Sequence, residues 1–153
     1  MKKYIKVYDA MFPLWWLLFL IPQMWLFVLP GNFIIDSIVL FISMALMKIQ
    51  PKWSFYKKYI LKIFLFGLLS DIIGSILAFI LAISLSMFAL ARLGDEPYIT
   101  IPALILSGSL IFLFNYYKTF KMLDKPVRIR LSLVFAVFTA PYTFLIPSGW
   151  LYS

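Results

Sequence analysis

The chain has 153 residues, of which 64% are hydrophobic and only 13% are charged. Soluble domains are about 45–50% apolar and about 25% charged, so a soluble globule of this composition would expose more apolar surface than it could hide. Composition therefore excludes an ordinary soluble enzyme, a disordered segment and a nucleic-acid-binding domain. It predicts an integral membrane protein of one domain, with several passes through the cell membrane.

The sequence contains no cysteine and no histidine. Disulfides, thiolate metal sites and nucleophile pairs that use histidine are therefore excluded. We expect no metal and no cofactor. The formal net charge of +8 would suggest nucleic acid in a soluble chain. Here the positions of the charges along the chain give a simpler explanation.

Five apolar stretches follow one another, and each is long enough to cross a bilayer as a helix of roughly 17–25 residues. They cover residues 11–30, 33–49, 59–91, 98–117 and 131–147. They lack the alternation of barrel strands, so the fold class is all-α, a bundle of five transmembrane helices. The first two stretches are divided at Gly31-Asn32. The third is unusually long, about 50 Å of helical rise against a hydrocarbon core of about 30 Å, and is predicted to be one tilted helix.

Basic residues fall at alternate ends of these stretches. All but one of the fourteen Lys and Arg residues lie in the N-terminal segment, in the connections after the second and fourth stretches, or within a few residues of those connections, and the exception is Arg92. The positive-inside rule then places the N-terminus in the cytoplasm and, with five spans, the C-terminus outside. Near the inner interface Lys52, Lys57 and Lys58 are interleaved with aromatic residues. This segment either lies flat against anionic lipid headgroups or forms a basic loop with interfacial aromatics.

Two acids, Asp36 and Asp71, lie inside apolar stretches. A charge in hydrocarbon costs roughly 2.5–3.5 kcal/mol even on insertion scales, so such residues face the bundle interior or water. No Lys or Arg lies in the hydrophobic core to pair with them, unless Lys62 reaches up. Each carboxyl is therefore either protonated or bound to a proton, a cation or a positive group of another chain.

The depth of these acids follows from counting along each helix from its basic anchor. Asp36 lies about 18 Å from Lys48 and Asp71 about 13–14 Å from Lys62, which places both near mid-membrane. The same count brings two hydroxyl residues to this level and two further polar residues to its vicinity. The predicted ligand-binding or ion-binding set is Asp36, Asp71, Ser109, Asn115, Thr139 and Tyr142, with Asn115 nearer the cytoplasm. Packing is the alternative role for Ser109 and Thr139, and a helix-end role is the alternative for Asn115 and Asp36.

Small residues recur at every fourth position of the third stretch, which lets a second helix approach closely. The predicted packing set is the row Ser70, Gly74, Ala78 and Ala82, with Gly67 on its flank. The segment 67–75, with Gly67, Asp71 and Gly74, resembles a local pattern in a bacterial rod-shape membrane protein family and in the substrate-binding subunits of energy-coupling-factor transporters. This resemblance covers about nine residues and carries no function over.

A second resemblance is to lipoprotein signal peptidase, a membrane aspartyl enzyme. Gly31-Asn32 followed by Asp36, and Phe114-Asn115, are similar to fragments of its motifs. The family's arginine is replaced by Ser37, and no acid follows Asn115. An intramembrane aspartyl enzyme is therefore the third of three functional classes.

The first class is a transport or ion-conducting unit in which the intramembrane carboxyls bind a proton, a cation or a cationic solute. A chain this short encloses little volume, so such a unit is expected to form a homo-oligomer. The second class is a non-catalytic structural or regulatory subunit of a larger membrane complex, in which the same features dock a partner. The expected partners are membrane lipids and either copies of this chain or other membrane subunits.

Overall fold

A computed structural model describes residues 22–87 and 97–145, with side chains over 25–84, 99–142 and at Leu145. Over these ranges the chain is all-α and contains no strand, as predicted. Four helices are formed: α1 (Pro22–Leu46), α2 (Lys52–Met87), α3 (Pro97–Phe114) and α4 (Lys125–Phe138). A π-helical turn, Asn115–Thr119, continues α3, and a 3₁₀ turn, Tyr142–Leu145, follows α4.

Within the described ranges three helices, not five, are long and apolar enough to cross a membrane. The qualifying segments are Trp25–Leu46, Lys52–Ser84 and Ile99–Thr119. The five-span prediction is therefore wrong for this part of the chain, although residues 11–21 of the predicted first span lie outside it. The orientation relative to the cytoplasm stays a prediction.

The predicted break at Gly31-Asn32 is wrong, because both residues lie inside α1. Pro30 also lies within the helix. A helical glycine costs only about 1 kcal/mol relative to alanine, and transmembrane helices tolerate proline. An uninterrupted α1 leaves only the carbonyl opposite Pro30 without its helical partner, whereas a loop at this position would leave several backbone groups unpaired in lipid. The helix therefore continues through Gly31 and Asn32, although both residues are common in turns.

The predicted fifth span, 131–147, is wrong as well. The helix begins earlier, at Lys125, and ends at Phe138, so α4 has 14 residues and a length of about 21 Å. Pro126 stands at its start, where the missing N–H costs nothing. Its end precedes Pro141, which has no N–H to donate to the Val137 carbonyl, and the Tyr142 hydroxyl donates to that carbonyl instead. The apolar run after Phe138 is therefore not one helix.

The long third stretch is one helix, as expected, but it begins at Lys52 rather than near residue 59. Lys52, Lys57 and Lys58 thus stand on the first turns of α2, not on a separate loop. All three are exposed, and the Lys57 ammonium lies 5.2 Å from the centre of the Trp53 ring. Their contact with lipid headgroups stays a prediction.

Large apolar side chains are exposed along the outward faces of the three long helices. Ile34, Ile38 and Ile42 of α1 are each about half exposed, as are Leu61 and Leu65 of α2. A soluble protein rarely leaves apolar patches of this extent uncovered, whereas lipid solvates them. The three apolar helices and their exposed faces indicate a membrane-embedded protein.

The bundle has two ends with different packing. At the basic end, where α1 and α3 end and α2 and α4 begin, large residues form the core, including Tyr59, Phe120 and Phe135. At the far end Ala78 and Ala82 of α2 pack with Ile99 and Ala103 of α3. The small residues let α2 and α3 approach closely there, and polar residues lie between the two ends.

Candidate functional site

Asp36 lies on the interior face of α1, midway along the helix. The buried residues of α1 are Asp36, Leu40, Ser43 and Met44, which recur at the spacing of one helical face. Asp36 is only 6% exposed, while its neighbours Ile34 and Ile35 are about half exposed. The carboxyl therefore points into the bundle, not toward lipid.

Gly67 of α2 provides the space in which the Asp36 carboxyl lies. A Cβ added to Gly67 would stand 3.8 Å from Oδ2 of Asp36. Any side chain longer than a methyl group at this position would compete with the carboxyl. The role of this glycine is thus to leave room for a polar group between α1 and α2.

Asp71 follows one helical turn after Gly67 and faces α3. Its Oδ1 accepts a hydrogen bond of 2.8 Å from the Ser107 hydroxyl. Side chains lean toward the N-terminus of their own helix, and α1 and α2 run antiparallel, so Asp36 and Asp71 lean toward each other. Asp36 lies against Gly67, one helical turn from Asp71, so both carboxyls border the same stretch of α2. We call Asp36, Asp71 and Ser107 the acid layer.

The acid layer has no basic partner nearby along the described helices. The nearest Lys or Arg on α2 is Lys62, about 13–14 Å of helical rise from Asp71, and on α3 the first is Lys118. No hydrogen bond to the Asp36 carboxyl is found within the described residues. These residues also contain no group of three His, Cys, Asp or Glu that could hold a metal ion. The layer therefore offers two carboxyls and one hydroxyl without a compensating positive charge.

The structure does not bring Ser109 into this layer. Ser109 is two residues from Ser107 and therefore points about 200° away from it around the helix. It is exposed and lines a groove of about 480 Å³ between α3 and α4, together with Gly108 and Ala136. Counting residues along α3 therefore placed Ser109 within two residues of the layer, but it did not show that the side chain points away from Asp71.

Thr139 and Tyr142 are also separate from the acid layer. The Thr139 hydroxyl donates to the carbonyl of Phe135, 2.8 Å away, at the end of α4. The Tyr142 hydroxyl donates to the carbonyl of Val137. Both side chains thus satisfy backbone carbonyls where α4 ends, and for Thr139 this is the packing alternative that the sequence left open.

Asn115 is fully buried, but it lies at the basic end, two helical turns from Ser107. Asp36 stands at mid-helix on α1. The two fragments that resemble lipoprotein signal peptidase therefore lie at different levels of the bundle.

The predicted packing residues of α2 lie mainly on the side that meets α3. Ser70, Gly74, Ala78 and Ala82 are buried, and Gly67 is half-buried beside Asp36. The Ser70 hydroxyl donates to the Phe66 carbonyl, 2.7 Å away.

Ser107 is the member of the acid layer that sequence reasoning missed. A signal was present, because Ala103, Ser107, Ile111 and Asn115 recur at every fourth residue of α3, and all four are buried. Ordering polar residues by helical face as well as by depth would have separated Ser107 from Ser109.

Comparison with protein-family models, with curated proteins and with solved structures finds no match to this chain.

Proposed function

We propose that the chain is a small membrane transport or ion-conducting unit whose acid layer binds a proton, a cation or a cationic solute. The observation that supports this most is the pair of carboxyls at mid-helix. Asp36 is buried against Gly67, and Asp71 accepts a hydrogen bond from Ser107. Residues that cost this much to bury in a membrane are by default candidates for function.

The chemistry of the pair suits reversible binding. Two carboxylates at one level repel each other, and burial in an apolar bundle penalises both charges. A bound proton or cation removes much of this penalty, and its release restores it. Ser107 fixes the orientation of the Asp71 carboxyl, while Gly67 keeps space open beside Asp36. A second copy of the chain would help to enclose a path that one bundle of this size cannot enclose.

The test is flux in proteoliposomes, with Asp36→Asn, Asp71→Asn and the double variant. Asparagine keeps the shape of the side chain but cannot bind or release a proton at neutral pH. Proton flux is followed with an enclosed pH-sensitive dye, and cation flux with tracer ions. We expect flux in the wild type that depends on pH, and its loss in each variant. Ser109→Ala is the matched control, because Ser109 is at nearly the same depth but outside the layer.

Undiminished flux in the double variant would overturn this proposal. A wild type without flux, whose co-purifying membrane protein is lost in the same variants, would instead support the alternative function. In that case the chain is a non-catalytic subunit, and the acid layer pairs with a positive group of its partner.

A further inference from the structure

A second group of polar side chains lies at the basic end and plays no part in the acid layer. Five buried atoms there have no hydrogen-bond partner in the structure. They are Nδ2 and Oδ1 of Asn115, Oγ1 of Thr119, Oγ of Ser132 and Nε of Arg128. More than about 90% of buried polar groups are hydrogen-bonded, and each unsatisfied one costs about 1–3 kcal/mol. Five such atoms in neighbouring elements therefore call for a ligand.

The two hydroxyls differ from most others in the bundle. Ser43, Ser70, Ser75 and Thr139 each donate to the carbonyl four residues earlier, over 2.7–2.8 Å. Thr119 makes no such bond, although its hydroxyl is buried. It ends the π-helical turn, in which the Asn115 carbonyl accepts from the Phe120 N–H, 2.8 Å away, and not from that of Thr119. The α-helical spacing that the other four hydroxyls use is therefore absent here, and such turns are frequent at functional sites.

Two contacts set the register of α3 and α4. A Cβ on Gly108 would stand 3.5 Å from the Ala136 carbonyl, and the Arg128 guanidinium lies 4.1 Å above the Tyr116 ring. Between these contacts Ser132 is level with Phe112, about 4.5 Å in helical rise from Asn115. Because α3 and α4 run antiparallel, Asn115 and Ser132 lean toward each other.

We propose that Asn115, Thr119, Ser132 and Nε of Arg128 form an internal water-binding site, which we call the amide pocket. The unpartnered atoms include donors, an acceptor and two hydroxyls that can serve as either. Water is the small ligand that both donates and accepts, and a buried water typically makes about three hydrogen bonds. This site is separate from the acid layer, because the buried side chain of Ile111 lies between Ser107 and Asn115 on the same face of α3.

The experiment uses the composition of the chain. Only Asn32 and Asn115 are asparagines, so labelling with side-chain ¹⁵N-asparagine gives two amide signals. Asn32→Gln, with unlabelled glutamine, assigns the Asn115 signal. We expect magnetisation transfer from water to the Asn115 amide in the full chain in lipid nanodiscs. Ser132→Ala should reduce this transfer at least twofold. Ser70→Ala, which removes an equally buried but satisfied hydroxyl, should leave it unchanged.

Absence of water transfer at the Asn115 amide in the wild type would overturn the inference. So would an Asn115 signal that shifts when chloride replaces gluconate, because the pocket would then hold an anion. Equal transfer in wild type and Ser132→Ala would contradict the proposed ligand set. None of these results depends on whether the acid layer carries flux.

Discussion

The acid layer and the amide pocket are two polar levels on one helix, α3, but they are built differently. The acid layer joins α1, α2 and α3 and contains two groups that can change charge. The amide pocket joins α3 and α4. Its Asn115, Thr119 and Ser132 are neutral, and the Arg128 guanidinium keeps its positive charge, at every physiological pH. Groups of constant charge can hold water but cannot take up or release a proton. We therefore propose proton or cation binding for the acid layer alone.

The largest expected effect is a loss of stability that leaves flux unchanged. Phe120→Ala empties a fully buried site between the Tyr59 and Phe135 rings, whose centres lie 5.5 Å and 6.1 Å from that of Phe120. We expect a loss of about 3–5 kcal/mol in unfolding free energy. Flux per folded molecule should persist, because the cavity forms at the basic end.

Denaturant unfolding in mild detergent measures this loss. Met122→Ala, at a residue that is 80% exposed, should change stability by less than about 0.5 kcal/mol. If Phe120→Ala abolished flux in fully folded protein, the two levels would not be independent.

The next largest effect is expected for Gly67→Leu, which fills the space beside the Asp36 carboxyl. The leucine side chain would extend into the space that the Asp36 carboxyl occupies. We expect at least a tenfold loss of flux, equivalent to about 1.4 kcal/mol. Gly31→Leu is the matched control, since nothing lies within 4 Å of a Cβ at that position. Equal flux in the two variants would show that the space beside Gly67 is not used.

A smaller effect distinguishes the two serines of α3. Ser107→Ala removes the hydroxyl that donates to Asp71, and such a bond contributes about 0.5–1.5 kcal/mol. Flux should fall roughly twofold to tenfold, measured in the same proteoliposomes. Ser109→Ala should leave it unchanged, and a larger loss in Ser109→Ala than in Ser107→Ala would contradict the assignment of the layer.

The smallest effect concerns Arg128. Its guanidinium stacks on the Tyr116 ring and donates to the Tyr116 hydroxyl over 2.8 Å. Arg128→Lys keeps the charge but loses the planar stacking and the Nε donor, so we expect a loss of about 0.5–1 kcal/mol in stability. Arg130→Lys, at an exposed residue, is the control. Thermal unfolding by intrinsic fluorescence should resolve the two, and identical melting would show that the Arg128 contact contributes nothing.

Sequence reasoning predicted the helical class and the single long α2, because these depend on composition and on the length of an apolar run. The depth of both acids in the membrane stays a prediction, although each acid lies midway along its helix. The predicted break at Gly31-Asn32 was wrong. These residues favour a turn only weakly, and a turn there would leave backbone groups unpaired in lipid. Sequence reasoning also failed for α4, which ends at Phe138 although the apolar run continues, because Pro141 has no N–H for the Val137 carbonyl and the Tyr142 hydroxyl takes that place.

For the candidate site, counting residues gave depth but not direction. Ser109 is at nearly the right level yet faces a groove, while Ser107, two residues earlier, contacts Asp71. The direction depends on which face of α3 packs against α2, and this is set by small residues such as Ala78 and Ala82. The amide pocket could not be found from a pattern, because the π-turn that ends at Thr119 has no marker in the sequence.

The central claim is that the Asp36 carboxyl lies in the bundle interior against Gly67. The chain has no cysteine, so the double variant Asp36→Cys/Gly67→Cys can be cross-linked in lipid with a short bifunctional thiol reagent. The account predicts efficient intramolecular cross-linking, with little in Ile35→Cys/Gly67→Cys, because Ile35 is exposed on another face of α1. Equal cross-linking of the two pairs, or none with Asp36→Cys, would contradict it.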